Sequence, residues 1–278
     1  MVRPASTRFL NGLLIVLILL VVGLMLLLFT CRRGATTKEL TFTPPVAGLE
    51  IPAPRNGDTP ILHEGYALGY RTDAGQAAWA AYQLTGSEVR AANTPRSNDF
   101  RPDPAVPGGT ADNSDYEQSG YDRGHLAPAE DLSFSTKAMS GSFYYSNISP
   151  QLPAFNRGVW RRLEELVRFW ARTYDTVYVV TGPVLEPNLR TVGPHYVAVP
   201  NQFYKVVLRY GGGGASAMGF LLNNAPSAAT LRSFAVPVDS VERVTGLDFF
   251  PQLPDDVERE VERRADEASW KWTRERKK

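Results

Sequence analysis

The alternation of hydrophobic and polar positions along the chain predicts a domain built around β-strands. Two runs of β-branched and aromatic residues, TVYVVTGPVL at 176–185 and QFYKVVLRY at 202–210, predict central strands of a sheet. The segment YALGYR, which begins at Tyr66, is followed by a Thr-Asp-Ala-Gly turn and an alternating run through Trp79. This arrangement is typical of a β-hairpin. A shorter aromatic run at 142–152 predicts a further strand.

One long helix is predicted at 156–172, where apolar residues recur at the spacing of a single buried face. Successive residues of a helix are about 100° apart, and on this count Asn156 at the start of the helix points along the apolar stripe. Glu164 then lies about 80° from Asn156, whereas Glu165 lies about 180° away and is expected to face solvent. A polar side chain on a buried stripe needs a partner. If one of the two acids shares a site with Asn156, geometry selects Glu164.

The beginning of the chain differs from the rest, because residues 9–30 run for 22 positions without a charge. A helix of that length spans a bilayer core of about 30 Å, which predicts a single-pass signal anchor within residues 1–33. A cleavable signal peptide is the alternative, although its apolar region is usually only about 7–15 residues long. The Pro- and Gly-rich residues 34–60 are predicted to be a linker, 61–254 the folded domain, and 255–278 a charged C-terminal helix or tail.

Composition narrows the class of protein only slightly. The chain of 278 residues is 43% hydrophobic and 21% charged, with a net charge of +1, so it carries no overall basic field. Binding to a polyanion would therefore depend on local clusters of basic residues. Cys31 is the only cysteine, which excludes a disulfide framework or a thiolate metal site within one chain. The pattern of strands and helices indicates an α+β domain.

Candidate chemistry begins at the four residues Asp122, Arg123, Gly124 and His125. Histidine is the natural general base near neutral pH, although a lone histidine is often a surface or structural residue. The positive charge of Arg123 should lower the pKa of His125 and keep its ring neutral, as a base requires. Arginine is also the usual ligand of a phosphate or a developing anion. The combination of a neutral base and an anion clamp favours phosphoryl-ester chemistry.

Hydrolysis of a phosphodiester usually needs a divalent cation, and hard cations take oxygen ligands. Three residues downstream offer such oxygens: Asn147, Asn156 and Glu164. Each also has an ordinary structural interpretation. Asn147 could simply end a strand, Asn156 could be a helix N-cap, and Glu164 could be a surface acid paired with an arginine on its own helix. Signature motifs of serine hydrolases, Walker-type nucleotide sites and His-Glu-x-x-His metalloproteases are absent from the sequence.

Taken together, these motifs resemble the DNA/RNA non-specific endonuclease family, the ββα-metal nucleases of endonuclease G type. The resemblance rests on DRGH at 122–125, SNISPQ at 146–151, FN at 155–156 and LE at 163–164, which occur in the order and at the spacing typical of the family. It extends over about residues 66–254. The resemblance implies an α+β fold of the ββα-metal (His-Me finger) type, with a mostly antiparallel central sheet flanked by helices. Here that fold would be preceded by one N-terminal transmembrane helix.

The resemblance also implies roles for the metal half of the site. Asn156 resembles the single direct protein ligand of a hydrated Mg²⁺, for which Mn²⁺ can substitute. Glu164 resembles the acid that holds metal-bound water, in agreement with the helix geometry.

For the reacting half, His125 resembles the base that activates the attacking water, and Arg123 the residue that steadies the phosphate. Arg96 corresponds to a further phosphate-binding arginine in a loop that aligns loosely. Asn147 resembles a supporting residue of the catalytic site.

The activity implied is metal-dependent, sugar-non-specific cleavage of DNA and RNA to 5′-phosphate and 3′-hydroxyl ends. Two alternatives stay open: an inert module that binds nucleic acid, and a metal-dependent phosphodiesterase for small substrates. The membrane, contacted through residues 9–30, is a further partner, and the resemblance raises a homodimer and an inhibitor protein as others. Because a free nuclease would harm a cell, the domain is expected outside the cytoplasm, in the periplasm, the extracellular space or the mitochondrial intermembrane space.

Overall fold

A computed structural model of the protein describes residues 48–54, 59–212 and 214–273. The predicted anchor at 1–33 and most of the predicted linker lie outside these ranges. Among the described residues, none of the helices has both the length and the apolar character needed to cross a membrane. The described residues all belong to one compact unit, and the following description concerns that unit.

A seven-stranded antiparallel sheet forms the centre of the unit, in the order β1-β2-β3-β6-β9-β10-β11. Its strands are β1 Ile61–His63, β2 Tyr66–Arg71, β3 Gln76–Thr85, β6 Thr176–Pro183, β9 Gln202–Gly211, β10 Gly214–Asn223 and β11 Ala235–Val236. Two smaller pairs lie beside it, β4 Asp122–His125 with β5 Ile148–Gln151, and β7 Thr191–Val192 with β8 Val197–Ala198. The predicted central strands and the predicted hairpin, which is β2 and β3, are confirmed.

Helices cover both faces of the sheet. The α-helices are α1 Gly86–Ala91, α2 Asn113–Tyr116, α3 Thr136–Gly141, α4 Arg161–Tyr174, α5 Val238–Thr245 and α6 Asp255–Glu262. Short 3₁₀ turns occupy Thr72–Ala74, Tyr145–Asn147, Leu231–Phe234 and Glu267–Ser269, and a π-helical turn occupies Phe155–Trp160. A mixed fold with a central antiparallel sheet and flanking helices is therefore confirmed.

Side chains of β6 show how the sheet separates two hydrophobic layers. Val177 and Val179 belong to the cluster that contains the buried face of α4, while Tyr178 and Val180 belong to the cluster that contains residues of α5 and α6. Because successive residues of a strand point to opposite faces, α4 lies on one face of the sheet and the α5–α6 pair on the other. Burial on both faces explains why β6 reads as a continuous apolar run instead of an alternating one.

Two local predictions differ from the structure. The DRGH segment, for which the hydrophobic pattern predicts no strand, is the strand β4, paired with β5 so that His125 lies opposite Ile148. A four-residue strand with polar side chains shows no hydrophobic alternation, so its pattern could not reveal it. The helix predicted at 156–172 begins instead with the π-helical turn, where Gly158 departs from helical geometry, before α4 continues it. π-helical turns are frequent at functional sites.

The segment after residue 254, predicted as a charged helix or tail, packs against the domain beyond its helix α6. Trp270 is buried, lies 4.4 Å from Trp170 of α4 between ring centroids, and donates a 2.9 Å hydrogen bond to Ser216. At the other end, Leu49, within the predicted linker, is also buried in the core on the α5–α6 face. The packed unit therefore extends past both predicted borders of the folded domain.

Candidate active site

The β4–β5 ladder places the candidate base. Asp122 lies opposite Gln151, Gly124 opposite Ser149, and His125 opposite Ile148. The side chain of Gln151 covers Gly124 so closely that a Cβ atom at this position would overlap it. Any larger residue at position 124 would therefore push the two strands apart and move His125.

His125 ends β4 in an aromatic pocket. Its ring lies 4.8 Å from that of Phe143, edge-on, and 5.8 Å from that of Phe100, and only 8% of the residue is exposed. Nε2 has no hydrogen-bond partner among the described residues. Burial, followed by the positive charge of Arg96, lowers the pKa of His125 to about 3. The imidazole is therefore neutral, as expected, but burial and Arg96 hold it so instead of the adjacent Arg123.

Asn147 braces the turn that follows His125. Its Nδ2 donates to the carbonyl oxygens of Ala127 and Ser142, and its Oδ1 accepts from the amide nitrogen of Ala127, each at 2.9 Å. Its own carbonyl oxygen accepts from Leu126 at 2.9 Å. The side chain is completely buried. The structure thus makes Asn147 a support for the backbone around His125, with its amide occupied by these contacts.

Asn156 connects the π-helical turn to β4. Its Nδ2 donates to Oδ2 of Asp122 at 2.9 Å, and Arg157 holds the same carboxylate through hydrogen bonds of 2.8 and 2.6 Å. Because Nδ2 is engaged, Oδ1 is the atom of this amide available to a cation, and hard cations favour such an oxygen. Ala154, not Asn156, occupies the N-cap position of the turn. The predicted metal ligand is therefore connected to the strand of the predicted base through Asp122, three residues before His125.

An open cleft of about 310 Å³ lies where these elements meet. Its lining residues are Arg96, Phe100, Tyr116, Tyr121, Asp122, Arg123 and Asn156. The guanidinium of Arg123 lies 5.0 Å above the ring of Phe100 and is hydrogen-bonded to Asn113, while that of Arg96 lies 4.8 Å above Phe143. Both predicted phosphate-binding arginines thus border the same cleft as the predicted metal ligand.

Glu164 lies on α4, half-buried, while its neighbour Glu165 is exposed, as the helix geometry predicts. Burial raises the pKa of Glu164, and the positive charge of Lys205 is the largest effect that opposes the rise. The same carboxylate acts favourably on the charge of Arg96, whose own charge acts on His125. Arg96 is therefore electrostatically coupled to both halves of the site.

Lys205 is a residue that the sequence reasoning missed. It lies in the middle of β9 on the α4 face, fully buried, with Nζ 4.8 Å from the ring centre of Trp160. Nζ has no hydrogen-bond partner among the described residues, and burial lowers the pKa of this amine. Buried lysines are rare. The signal was available, because a lysine interrupts an otherwise apolar central strand.

Arg168, one turn of α4 beyond Glu164, is the second buried cation nearby. It forms ion pairs with Asp131 at 2.7 Å and with Glu130 at 3.0 Å. Its charge is therefore directed mainly to these acids, and Lys205 is the cation that acts most strongly on Glu164.

The other two histidines have structural partners. His63 is 2.9 Å from Asp103, and His195 is 2.8 Å from Asp115, which also accepts from the His195 amide nitrogen. Elsewhere in the described part of the chain, three carboxylates of Asp239, Glu242 and Glu262 converge on the opposite face of the sheet. Among the described residues, the group around Asp122 differs from these in combining a histidine, two arginines and an amide oxygen: His125, Arg96, Arg123 and Asn156.

Known proteins with similar sequences match the part of the chain that contains these residues. A family model described as DNA/RNA non-specific endonuclease matches residues 48–256. Human "Endonuclease G, mitochondrial" is 39% identical over 204 residues, which cover 68% of this chain and 69% of the relative. A "Nuclease" from Nostoc is 33% identical over 218 residues, 74% of this chain and 78% of the relative. A yeast "Mitochondrial nuclease" is 35% identical over 199 residues, 63% of this chain and 60% of the relative.

A solved structure gives the same result for the fold. The crystal structure of an EndoG/EndoGI complex, described as showing the mechanism of EndoG inhibition, is similar with a TM-score of 0.66 at 34% sequence identity. The similarity covers 71% of this chain and 87% of that one. The matched portion of the chain contains every candidate residue from Arg96 to Glu164 within the family match.

Proposed function

The chain belongs to the DNA/RNA non-specific endonuclease family, and on that premise we propose that it cleaves both DNA and RNA to 5′-phosphate and 3′-hydroxyl ends. One observation carries the proposal. His125, neutral and without a hydrogen-bond partner at Nε2, is fixed on the same strand as Asp122, whose carboxylate binds Asn156. A histidine suited to act as a general base and an amide that offers an oxygen to a cation are thereby held on two rigid elements joined through Asp122.

His125 accepts the proton of the attacking water at Nε2. The ring is neutral at any physiological pH because its pKa is held at about 3 by burial and by Arg96. Such a low pKa means that the proton is not retained, and contact with a phosphate anion would raise the basicity of the ring when substrate binds. Arg123 and Arg96 at the rim of the cleft bind the phosphate, Arg123 with the planar fork that suits its oxygens.

The donor set fits a hydrated hard cation, Mg²⁺ or Mn²⁺. Asn156 Oδ1 offers one neutral oxygen, and Glu164 offers a carboxylate that would hold water bound to the cation. Such a cation supplies charge stabilisation to the phosphate and to the departing 3′ oxygen. Lys205 beneath Glu164 favours the carboxylate over the carboxylic acid, because its positive charge opposes the effect of burial. Asn147 fixes the backbone that carries His125.

The alternatives differ in what they need from this site. A binding module without catalysis needs the arginines but has no use for a neutral buried histidine or for Glu164 with its buried lysine. A phosphodiesterase for small substrates would use the same chemistry, and cleavage of plasmid and RNA is the observation that distinguishes an endonuclease from it. An endonuclease acting on a nucleic-acid strand uses every one of these features.

The names of the relatives and the apolar segment at residues 9–30 bear on the location of the protein and on its partners. The human and yeast relatives are named as mitochondrial, and another relative's structure is that of a complex with an inhibitor. We propose that residues 9–30 anchor this chain in a membrane with the nuclease domain on the non-cytoplasmic side. Digestion of intact membranes by an added protease tests this, and a domain protected until the cytoplasmic side is opened would contradict it.

The activity is tested by incubating the purified chain with a supercoiled plasmid and with a structured RNA in the presence of Mg²⁺. Both substrates are expected to be cleaved, EDTA to stop the reaction, and His125→Ala to slow it by about 10²–10⁴-fold. His195→Ala, in the histidine paired with Asp115, is the matched control and should cleave normally. Undiminished cleavage by His125→Ala would contradict the assignment of the base.

A further inference from the structure

A second group of carboxylates lies on the face of the sheet that α4 does not cover. Asp239 and Glu242 are on α5, and Glu262 is the last residue of α6. One carboxylate oxygen from each lies within 4.8 Å of the others. The two helices contact each other and β10, so the group is held between packed elements instead of on a loop.

Glu262 is the unusual member of the group. Only 6% of the residue is exposed, and its Oε1 has no hydrogen-bond partner among the described residues. Buried polar atoms in proteins are almost always hydrogen-bonded or bound to an ion or water. Burial, followed by the negative charges of Glu242 and Glu258, raises the pKa of this carboxyl to about 9. The buried oxygen therefore lies in a place that favours a positive charge.

The described surroundings supply no such charge. Asp248 and Glu258 add further negative charge to the group, and both oppose ionisation of Glu262. None of Asp239, Glu242 and Glu262 forms an ion pair with another described residue. Glu242 accepts one hydrogen bond, from the amide nitrogen of Phe249 at 3.0 Å, which leaves its other oxygen available.

We propose that Asp239, Glu242 and Glu262 form a second divalent-cation site, of the calcium type, separate from the site at Asn156. Ca²⁺ binds oxygens at about 2.3–2.6 Å, so two oxygens on opposite sides of one ion lie up to about 5 Å apart. The spacing of 4.8 Å satisfies this limit without movement of the helices. Mg²⁺ demands near-ideal octahedral geometry and usually keeps several waters, so a site built from three protein carboxylates suits Ca²⁺ better. Three carboxylates also suit Ca²⁺ in charge.

The role of this site is structural. A cation bound there joins α5 to α6, the helix that leads into the segment where Trp270 packs on Trp170. It relieves the repulsion among the carboxylates and stabilises the attachment of the C-terminal segment. Because the α5–α6 pair and α4 cover opposite faces of the sheet, the cation takes no part in cleavage.

Calorimetric titration of the full chain with Ca²⁺ tests the proposal, in an Asn156→Ala background that removes the ligand of the other site. The parent is expected to bind Ca²⁺ and to gain a few degrees in its thermal midpoint at saturating concentrations. Glu262→Gln in the same background should lose both the binding heat and the shift. Glu260→Gln is the matched control, since Glu260 is exposed on the same helix and pairs with Arg263 and Arg264.

Folding of the key variant is checked in the same experiment. With a chelator present, Glu262→Gln is expected to melt no lower than its parent, because the amide has the size of the protonated carboxyl and cannot ionise beside the neighbouring acids. Asp239→Asn provides a second variant that should also lose the shift. Absence of any Ca²⁺ effect in the parent, or an equal effect in Glu262→Gln, would overturn the proposal and leave a protonated carboxyl as the explanation of the buried oxygen.

Discussion

Each face of the sheet contains a buried or half-buried glutamate, and the two differ in what surrounds them. Glu164, on the α4 face, is acted on by the positive charges of Lys205 and of Arg168, one turn away on the same helix. The charges that act most strongly on Glu262, on the other face, are those of acids. Burial is the first cause of a raised carboxyl pKa in both cases.

Burial disfavours the ionised carboxylate on both faces, and the two faces offset this effect in different ways. In the proposed site, the charge of Lys205 favours the ionised form of Glu164, which would hold water bound to a cation. Without such a lysine, Glu262 needs a proton or a cation from solution, and the site is closed to a large ligand. In this account, a fixed internal cation distinguishes the face proposed to be reactive, whereas on the other face the described charges that act on Glu262 are acids.

The largest expected effect comes from the same substitution made on the two faces. Glu164→Gln is expected to lower the rate of plasmid cleavage by about 10–100-fold, the usual cost of losing a group that orients a metal-bound water. Glu262→Gln should leave the rate unchanged while removing the stabilisation by Ca²⁺. Glu165→Gln, one residue away and exposed, is the control for α4 and should cleave normally. Equal losses in Glu164→Gln and Glu262→Gln would remove the contrast between the faces.

A smaller effect is expected when the internal cation is removed. In Lys205→Met the pKa of Glu164 rises further, so the carboxylate forms only at higher pH and the acidic limb of the pH–rate profile moves upward. Lys205→Arg keeps the charge and should restore part of the rate, whereas a role in packing alone would give both variants an unshifted profile. The profile of kcat/KM between about pH 5 and 9 is the measurement.

The smallest expected effect is on the stability of the other face. The carboxyl of Glu262 has a folded-state pKa of about 9, above its ordinary value of 4.5. Its contribution to stability is therefore complete below about pH 4.5 and is lost as the pH rises towards 9. With a chelator present, the thermal midpoint of the parent should fall across this interval more than that of Glu262→Gln. Parallel curves for the two proteins would contradict the assigned pKa shift.

Sequence patterns predicted the parts of the fold that burial controls. The runs that became β6 and β9 are rich in β-branched and aromatic residues because both of their faces are covered, and the apolar stripe of α4 placed Glu164 inward and Glu165 outward. The same reasoning missed β4, since four residues pairing with β5 carry no alternation. It also missed the π-helical turn, which changes the helical period before Glu164.

The sites depend on contacts that no local pattern contains. Residue chemistry already selects Arg123, His125, Asn147, Asn156 and Glu164 as candidates, whereas Arg96 rests on the family resemblance alone. The structure brings Arg96, Arg123 and Asn156 to one cleft. Lys205 acts from a strand some forty positions after Glu164, and Glu262 meets Asp239 across two helices. Such groups are brought together only by the packing of the sheet, which explains why the sequence did not reveal them.

The central claim is that His125 and Asn156, joined through Asp122, form one reaction centre. Single-turnover cleavage by His125→Ala, Asn156→Ala and the double variant tests it most directly, with thermal unfolding to show that all three are folded. Residues that act as a unit are strongly non-additive, so the double variant is expected to be about as slow as the slower single variant. If the double variant instead lost the product of the two separate factors, the two residues would act independently and the account would be contradicted.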